Sequence, residues 1–180
     1  MRDRRFVAVH RGGPLDRNKH RRLASWAADC AEHLLGLFTE HSPDDRPQKA
    51  IDTARAWARG EVPVGSAQKA AVAAHAAARA VKSKAACAVA RAAGHAVATA
   101  HMAEHCIGVV IYGQKAIQAS GQSFDPEHKW QLNRLPAGLR ELVTSALERR
   151  LGVDWAKDNQ PATKGKKKTR RTVTTRSVRC

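Results

Sequence analysis

Apolar residues recur at helical spacing through most of the chain, most densely in the alanine-rich stretch from Ser66 to Ile117. Two successive stripes of small residues run along it: Ala70, Ala74, Ala77 and Val81, then Ala85, Val89, Ala92, Ala96 and Ala100. Alanine is the best helix former because it loses no side-chain entropy. Because small side chains let two helix axes approach closely, this pattern predicts tightly packed helices at the centre of a bundle.

Two further helices are predicted before this stretch. From Asn18 to about Glu40 one apolar stripe has helical period: Leu23, Trp26, Ala27, Cys30, Leu34, Leu37 and Phe38. The next helix has both ends marked, with Asp45 as the N-cap and Gly60 as the stop. Gln48, three residues after Asp45, resembles the second half of a capping box.

The alanine-rich stretch divides into helices at recognisable breaks. Ser66 is the predicted cap of the first, and Lys82–Lys84 mark a bend before the second. The second is expected to end at His101 or His105, and a third to cover Cys106 to about Ala119. Gly94, Gly108 and Gly113 each destabilise a helix by about 1 kcal/mol relative to alanine. Close helix contacts at these positions would explain why glycine is present despite this cost. A turn of helix over Pro126–Leu132 and a last helix from Pro136 complete the pattern.

These patterns predict an all-α fold, a compact bundle of about six helices with alanine-rich, close-packed central helices. We expect Trp26, Trp57 and Trp130 to be its large packing anchors. The predicted organisation is a basic flexible arm over residues 1–17, a helical domain over 18–158 and a disordered basic tail over 159–180. Phe6, Val7 and Val9 offer the arm an alternative, which is to dock on the body.

Charge is concentrated at the two ends of the chain. Of the formal net charge of +16, residues 1–22 contribute +6 and residues 161–180 contribute +8, so the remainder is close to neutral. Clustered cations bind phosphates without regard to sequence, through counterion release. The tail therefore supports an alternative function, a small basic nucleic-acid-associated protein that would use Lys164, Lys166, Lys167, Lys168, Arg170 and Arg171.

No residue pattern points to a reaction. The chain has no glycine-rich phosphate loop, no CxxC pair and no nucleophile elbow. Its four cysteines are widely spaced, which is typical of reduced cysteines in a cytoplasmic protein. The basic start is followed by more charge, and no apolar run is long enough to cross a membrane, so neither a secretory signal nor a membrane partner is expected.

The histidines carry the one metal-binding alternative. His101 and His105 are spaced i,i+4 and His95 lies further back, so a metal-dependent helical enzyme centred on these three is conceivable. Spacing supplies only two of the three or four ligands that such a site needs. His75 and His95 lie in apolar surroundings, where a histidine that is hydrogen-bonded in the core is the commoner outcome.

Several segments together resemble the Imm-five-like immunity proteins of bacterial polymorphic toxin systems. These are Trp26–Phe38, Pro43–Glu61, Ala70–Ala80, Ala90–His105 and Trp130–Val143, and the run DDRPQKAIDTARAWARG is the most specific. The resemblance implies a compact all-α protein that binds and neutralises a cognate protein toxin by stoichiometric occlusion. It implies no enzyme activity and no required cofactor. The basic ends are departures from the family pattern.

The contact surface for such a toxin is predicted from polar residues outside the apolar stripes: Asp29, His33, Arg55 and Arg59. The sequence leaves the identity of the toxin and the oligomeric state open.

Overall fold

The computed structural model describes residues 3–152, and within them all regular structure is helical. The helices are α1 (Arg17–His33), α2 (Gly36–Thr39), α3 (Arg46–Arg59), α4 (Val64–Ala80), α5 (Lys84–Ala98), α6 (His105–Ala119), α7 (Asp125–Arg134) and α8 (Arg140–Leu151). Short 3₁₀ turns lie at Arg4–Phe6, Val9–Arg11 and Ala137–Leu139. The all-α prediction is confirmed. The α-helices over these residues number eight rather than about six, for two reasons. The single turn α2 is separate from α1, and the segment predicted as one turn near Pro126 is the full helix α7.

Helix α5 lies at the centre of the bundle. It packs against α4 and α6 most extensively and also contacts α1, α2 and α3. Eleven of its fifteen residues are buried, and all of them are Ala, Val or Gly. The close-packed alanine-rich centre that the sequence predicts is therefore present, because side chains of this size leave little between neighbouring backbones.

The predicted single helix from Asn18 to Glu40 is wrong at its C-terminal end. The chain turns at Leu34 and Leu35 before α2 begins at Gly36. The turn buries Leu34 and Phe38 in a second apolar cluster with Val89 of α5. Continued helical geometry would have kept these residues on the stripe of α1, so tertiary burial decides the break.

The predicted helix ends are confirmed in part, and α5 ends at Ala98 rather than at His101 or His105. Asp45 sits at the N-cap of α3 without capping through its side chain, and Gln48 donates to Asp52 instead of completing a capping box. Helix α4 begins at Val64, so Ser66 is inside it rather than its cap. The bend at Lys82–Lys84 is confirmed, as is the stop at Gly60, whose φ is +87°. Such positive φ angles favour glycine, which has no Cβ.

The flexible arm expected over residues 1–17 is corrected from Asp3 onwards. Phe6 and Leu15 are each only 3% exposed and belong to the main core. Asp3 pairs with Arg5 and with Arg149 of α8, and an isolated bridge joins Ala8 to Leu15. The docking alternative holds for Phe6 but not for Val9, which is exposed. Two apolar anchors outweigh the basic, glycine-containing composition of this segment.

Of the three tryptophans expected as anchors, Trp26 is buried, whereas Trp57 and Trp130 pack on the core from partly exposed positions. None of the helices described is long and apolar enough to cross a membrane. The predicted tail over 159–180, with its six candidate nucleic-acid-binding cations, lies outside the described residues, as does the end of the predicted 18–158 domain.

Candidate functional site

Arg55, one of the predicted contact residues, links α3 to two acidic side chains of α1. Its Nη1 and Nη2 donate to the two carboxylate oxygens of Glu32, each at 2.6 Å, and Nη2 also donates to Asp29 Oδ1 at 2.7 Å. This paired geometry is what a planar guanidinium offers a carboxylate. The hydrogen bonds to Glu32, followed by those to Asp29, raise the pKa of Arg55 above its usual value. Asp29 and Arg55 are therefore brought together, with Glu32 as the member that the sequence analysis missed.

His33 belongs to a different contact, with α7. Its Nδ1 lies 2.6 Å from Oε2 of the buried Glu127, and its ring stacks on Trp130 at a centroid distance of 3.7 Å. The Arg134 guanidinium lies 4.2 Å from the Trp130 ring centroid. The Trp130 indole therefore contacts both a histidine and an arginine.

Arg59 lies one turn after Arg55 and pairs locally with Glu61, at 2.6 and 2.7 Å. The four predicted contact residues thus divide among three separate sets of intramolecular contacts. Each is already engaged within the chain, so a partner that used them would have to compete with these bonds or read the assembled ion pairs.

Four partly buried histidines form a continuous tract of ring contacts. His75 of α4 contacts His95 of α5, His95 contacts His105 of α6, and His105 contacts His101, with ring centroids 5.6, 5.2 and 5.0 Å apart. His95 also stacks on Tyr112 at 5.1 Å, and its Nδ1 lies 3.2 Å from His105 Nδ1. The predicted shared helix face of His101 and His105 is wrong, because His101 lies in the turn between α5 and α6, although the two rings still meet. The sequence could not place His75 and His95 beside them.

Two of the glycines predicted to lie at close contacts, Gly94 and Gly108, leave the space that the rings of His75 and His95 occupy. A Cβ at Gly94 would come within 2.5 Å of His75 Cε1, and a Cβ at Gly108 would overlap the ring of His95. The prediction of close contacts is confirmed for both, and for Gly113, where a Cβ would lie 2.9 Å from Leu34 Cδ1. The partner of two of these glycines is an imidazole rather than a helix backbone.

Burial disfavours protonation of three histidines of the tract, His75, His95 and His101. It lowers the pKa of His95 to about 4, with further lowering by His105, His75 and Arg91. Burial is likewise the first cause that lowers the pKa of His75 and of His101.

The histidine tract does not have the ligand arrangement that the metal-binding alternative requires. Contacts run from His95 to His105 and from His105 to His101 rather than converging on one point. Across residues 3–152 no group of three or more His, Cys, Asp or Glu side chains is arranged to hold a metal ion. Glu104, the carboxylate that lines the neighbouring cleft, pairs with Arg150 at 2.8 Å.

The buried His20 is another polar residue that the sequence analysis missed. His20 of α1 is 5% exposed and donates through Nε2 to the Thr99 carbonyl oxygen at 2.6 Å, while its ring contacts Trp57. Its spacing of three residues before Leu23 was the available signal, since that places it on the edge of the apolar stripe. His20 fixes α1 against the connection between α5 and α6.

No curated protein matches the chain, and no solved structure matches it. A family described as Imm-5 like putative immunity protein matches residues 13–138. The matched range begins just before α1 and ends in the 3₁₀ turn before α8, so it includes the alanine-rich centre, the histidine tract and the ion pairs of Arg55. Because this match covers more than half of its length, the chain belongs to the Imm-5 like family.

Proposed function

We propose that this protein is an immunity protein that binds a cognate bacterial toxin in the cytoplasm and neutralises it by stoichiometric occlusion. The observation that carries the proposal is the family match over residues 13–138. We propose further that it acts by binding rather than by catalysis and needs no cofactor.

The packing of the bundle supports a binding role. The core around α5 consists of small, tightly fitted residues, and ion pairs such as Arg55–Glu32 fasten the outer faces of neighbouring helices. A surface held in this way is largely organised before the partner arrives, so less conformational entropy is lost on binding.

Co-expression with the protein encoded by the adjacent gene tests the proposal. We expect expression of that protein alone to stop growth and co-expression with this chain to restore it. The purified pair should form a complex of fixed stoichiometry, measured by light scattering and calorimetry. Absence of both rescue and complex would contradict the proposal, and rescue by far less than equimolar protein would indicate catalysis instead of occlusion.

Removal of residues 161–180 separates this function from nucleic-acid binding. The tail carries eight Lys or Arg residues and lies beyond the family match. We expect neutralisation to survive the truncation, whereas salt-sensitive DNA binding through the tail would be strongly weakened. If the truncated chain no longer restored growth, this would argue against a binding surface in the helical body.

A further inference from the structure

A groove of about 620 Å³ opens on one side of the bundle, beside the N-terminal segment. One wall is the loop from Ala8 to Leu15, and the other includes Val64 at the start of α4. Trp57 of α3 and Ala100, just after α5, also line it. The groove therefore exists only because the N-terminal segment is docked on the body.

The rim of this groove exposes aliphatic surface. Val9 is 58% exposed and Val64 is 37% exposed. They are two of the three large apolar side chains that are exposed among residues 3–152, the third being Val72. Covering apolar surface around a concavity lowers the free energy by about 25 cal/mol for each Å² removed from water. Such a patch is therefore typical of a binding site.

Two arginines place positive charge in the lining of this groove. Arg11 and Arg17 line it, and neither has an ion-pair partner within the described part of the chain. Asp16 is the acidic residue of the lining, and it already caps α1 through Lys19 N and pairs with the Lys19 ammonium. Arg55 and Arg59, by contrast, each pair with a carboxylate of the chain itself.

We propose that this groove docks an acidic segment of a partner protein, with an apolar side chain of that segment covering Val9 and Val64. The proposal rests on the proposed function in that the partner is taken to be the toxin. Unpaired arginines beside an apolar rim match carboxylates that flank a Leu- or Phe-like residue, and such complementarity also accelerates association.

Other occupants fit less well. The chain's own residues 161–180 carry eight cations and no acid, so the groove would repel them. Nucleic acid would use the arginines, but single strands bind on aromatic platforms. The groove offers aliphatic rims and one indole, Trp57, which is itself packed against His20 at a centroid distance of 4.9 Å.

Matched charge reversals in the full-length chain test the proposal. The groove variant is Arg11→Glu with Arg17→Glu. The control is Arg79→Glu with Lys129→Glu, which changes net charge equally at exposed positions outside the groove. Binding of an inactivated adjacent-gene toxin is measured by calorimetry after thermal melts have shown that both variants are folded. We expect the groove variant to weaken binding roughly tenfold or more and the control to change it less than about threefold.

A variant that leaves charge intact tests the apolar half of the proposal. Val9→Ser with Val64→Ser should also weaken binding by several-fold, whereas Val72→Ser, at the third exposed valine, should not. Equal losses in groove and control variants, or no loss in the groove variants, would overturn the proposal while leaving the proposed function intact.

A second probe separates failure of the two ideas. Short peptides that alternate Glu with Leu, Glu with Ser, or Lys with Leu are titrated into the isotope-labelled full chain, alongside a duplex and a single-stranded oligonucleotide. We expect amide shifts at Val9, Arg11 and Val64 with the Glu–Leu peptide alone. This result without toxin binding would refute the proposed function and keep the docking site. Stronger binding of an oligonucleotide in the groove, or no shifts there with any peptide, would overturn the docking site.

Discussion

The imidazole of His95 on α5 fills the space in which Gly108 on α6 would need a side chain. A Cβ built on Gly108 would lie 2.7 Å from His95 Cγ, well inside contact distance. The ring is also in contact with His75, His105 and Tyr112, which restricts the directions in which it could move. One imidazole therefore sets how α5 and α6 approach at this level of the bundle.

Gly108→Ala should destabilise the protein even though alanine is the better helix former. Overpacking a fitted site costs about 1–3 kcal/mol, and the gain in helix propensity is about 1 kcal/mol. We expect a net loss of up to about 2 kcal/mol in the free energy of unfolding, measured in urea. Gly65→Ala is the matched control in α4, where a Cβ would meet nothing within 4 Å and should be neutral or stabilising. Equal stability of the Gly108 variant and the wild type would contradict the close contact.

Stability should fall on mild acidification because of His95. Its folded-state pKa is about 4, below the 6.5 of the unfolded chain, so the unfolded state binds the proton first. This contribution is present above pH 6.5 and is lost as the pH falls towards 4, by about 2 kcal/mol between pH 7 and pH 5. His75, His101 and His20, whose pKa values are also lowered, act in the same direction.

The measurement is the free energy of unfolding in urea at several pH values between 4.5 and 7.5. His95→Gln should reduce the slope across this range, whereas His41→Gln, at an exposed position, should leave it unchanged. A variant at His95 with the wild-type slope would refute the assignment.

Glu127→Gln should cost about 1.5–3 kcal/mol of stability, the usual range for hydrogen bonds to a charged group. The Glu127 side chain is 6% exposed and accepts from Gln131 Nε2 at 2.7 Å while meeting His33 Nδ1 at 2.6 Å. A neutral amide cannot accept from both donors as well. Glu61→Gln removes the same charge from an exposed pair with Arg59 and should cost much less stability, because water screens that pair. Similar losses in the two variants would contradict the role given to burial.

Phe6→Ala should show that the N-terminal segment belongs to the core. Truncating a buried phenylalanine costs about 3–5 kcal/mol, and we expect a loss near the lower figure because the site lies at the edge of the bundle. Val9→Ala, three residues later but exposed, should change stability by less than about 0.5 kcal/mol. Comparable small effects at both positions would restore the flexible arm that the sequence suggested.

Periodicity was enough to predict the fold class, the central helices and the boundaries at Gly60 and Lys82–Lys84. These features depend on local preferences that any helix with the same residues would show. The break after His33 was not predictable in this way, because it depends on where Leu34 and Phe38 find a cavity beside α5. Phe6 and Leu15 likewise dock because of distant partners, while the surrounding arginines and glycines favour disorder.

The candidate sites were predicted less completely. Residue type identified Arg55 and Asp29 as polar surface residues, but their engagement with Glu32 depends on how α1 and α3 align. The histidine tract joins positions up to thirty residues apart on α4, α5, α6 and the turn between α5 and α6. A single sequence fixes only neighbours at i,i+3 and i,i+4, so it could relate His101 to His105 and no further.

The preponderance of alanine in α5 has a consequence for how such a protein can change. Alanine has no side-chain torsions, so its packing offers no alternative arrangements through which a mutation at the periphery could be transmitted inward. Residues on the outer loops, including those around Val9 and Arg11, can be exchanged while the helical frame stays where it is. Binding to an altered partner protein would then require only new surface side chains on an unchanged helical frame.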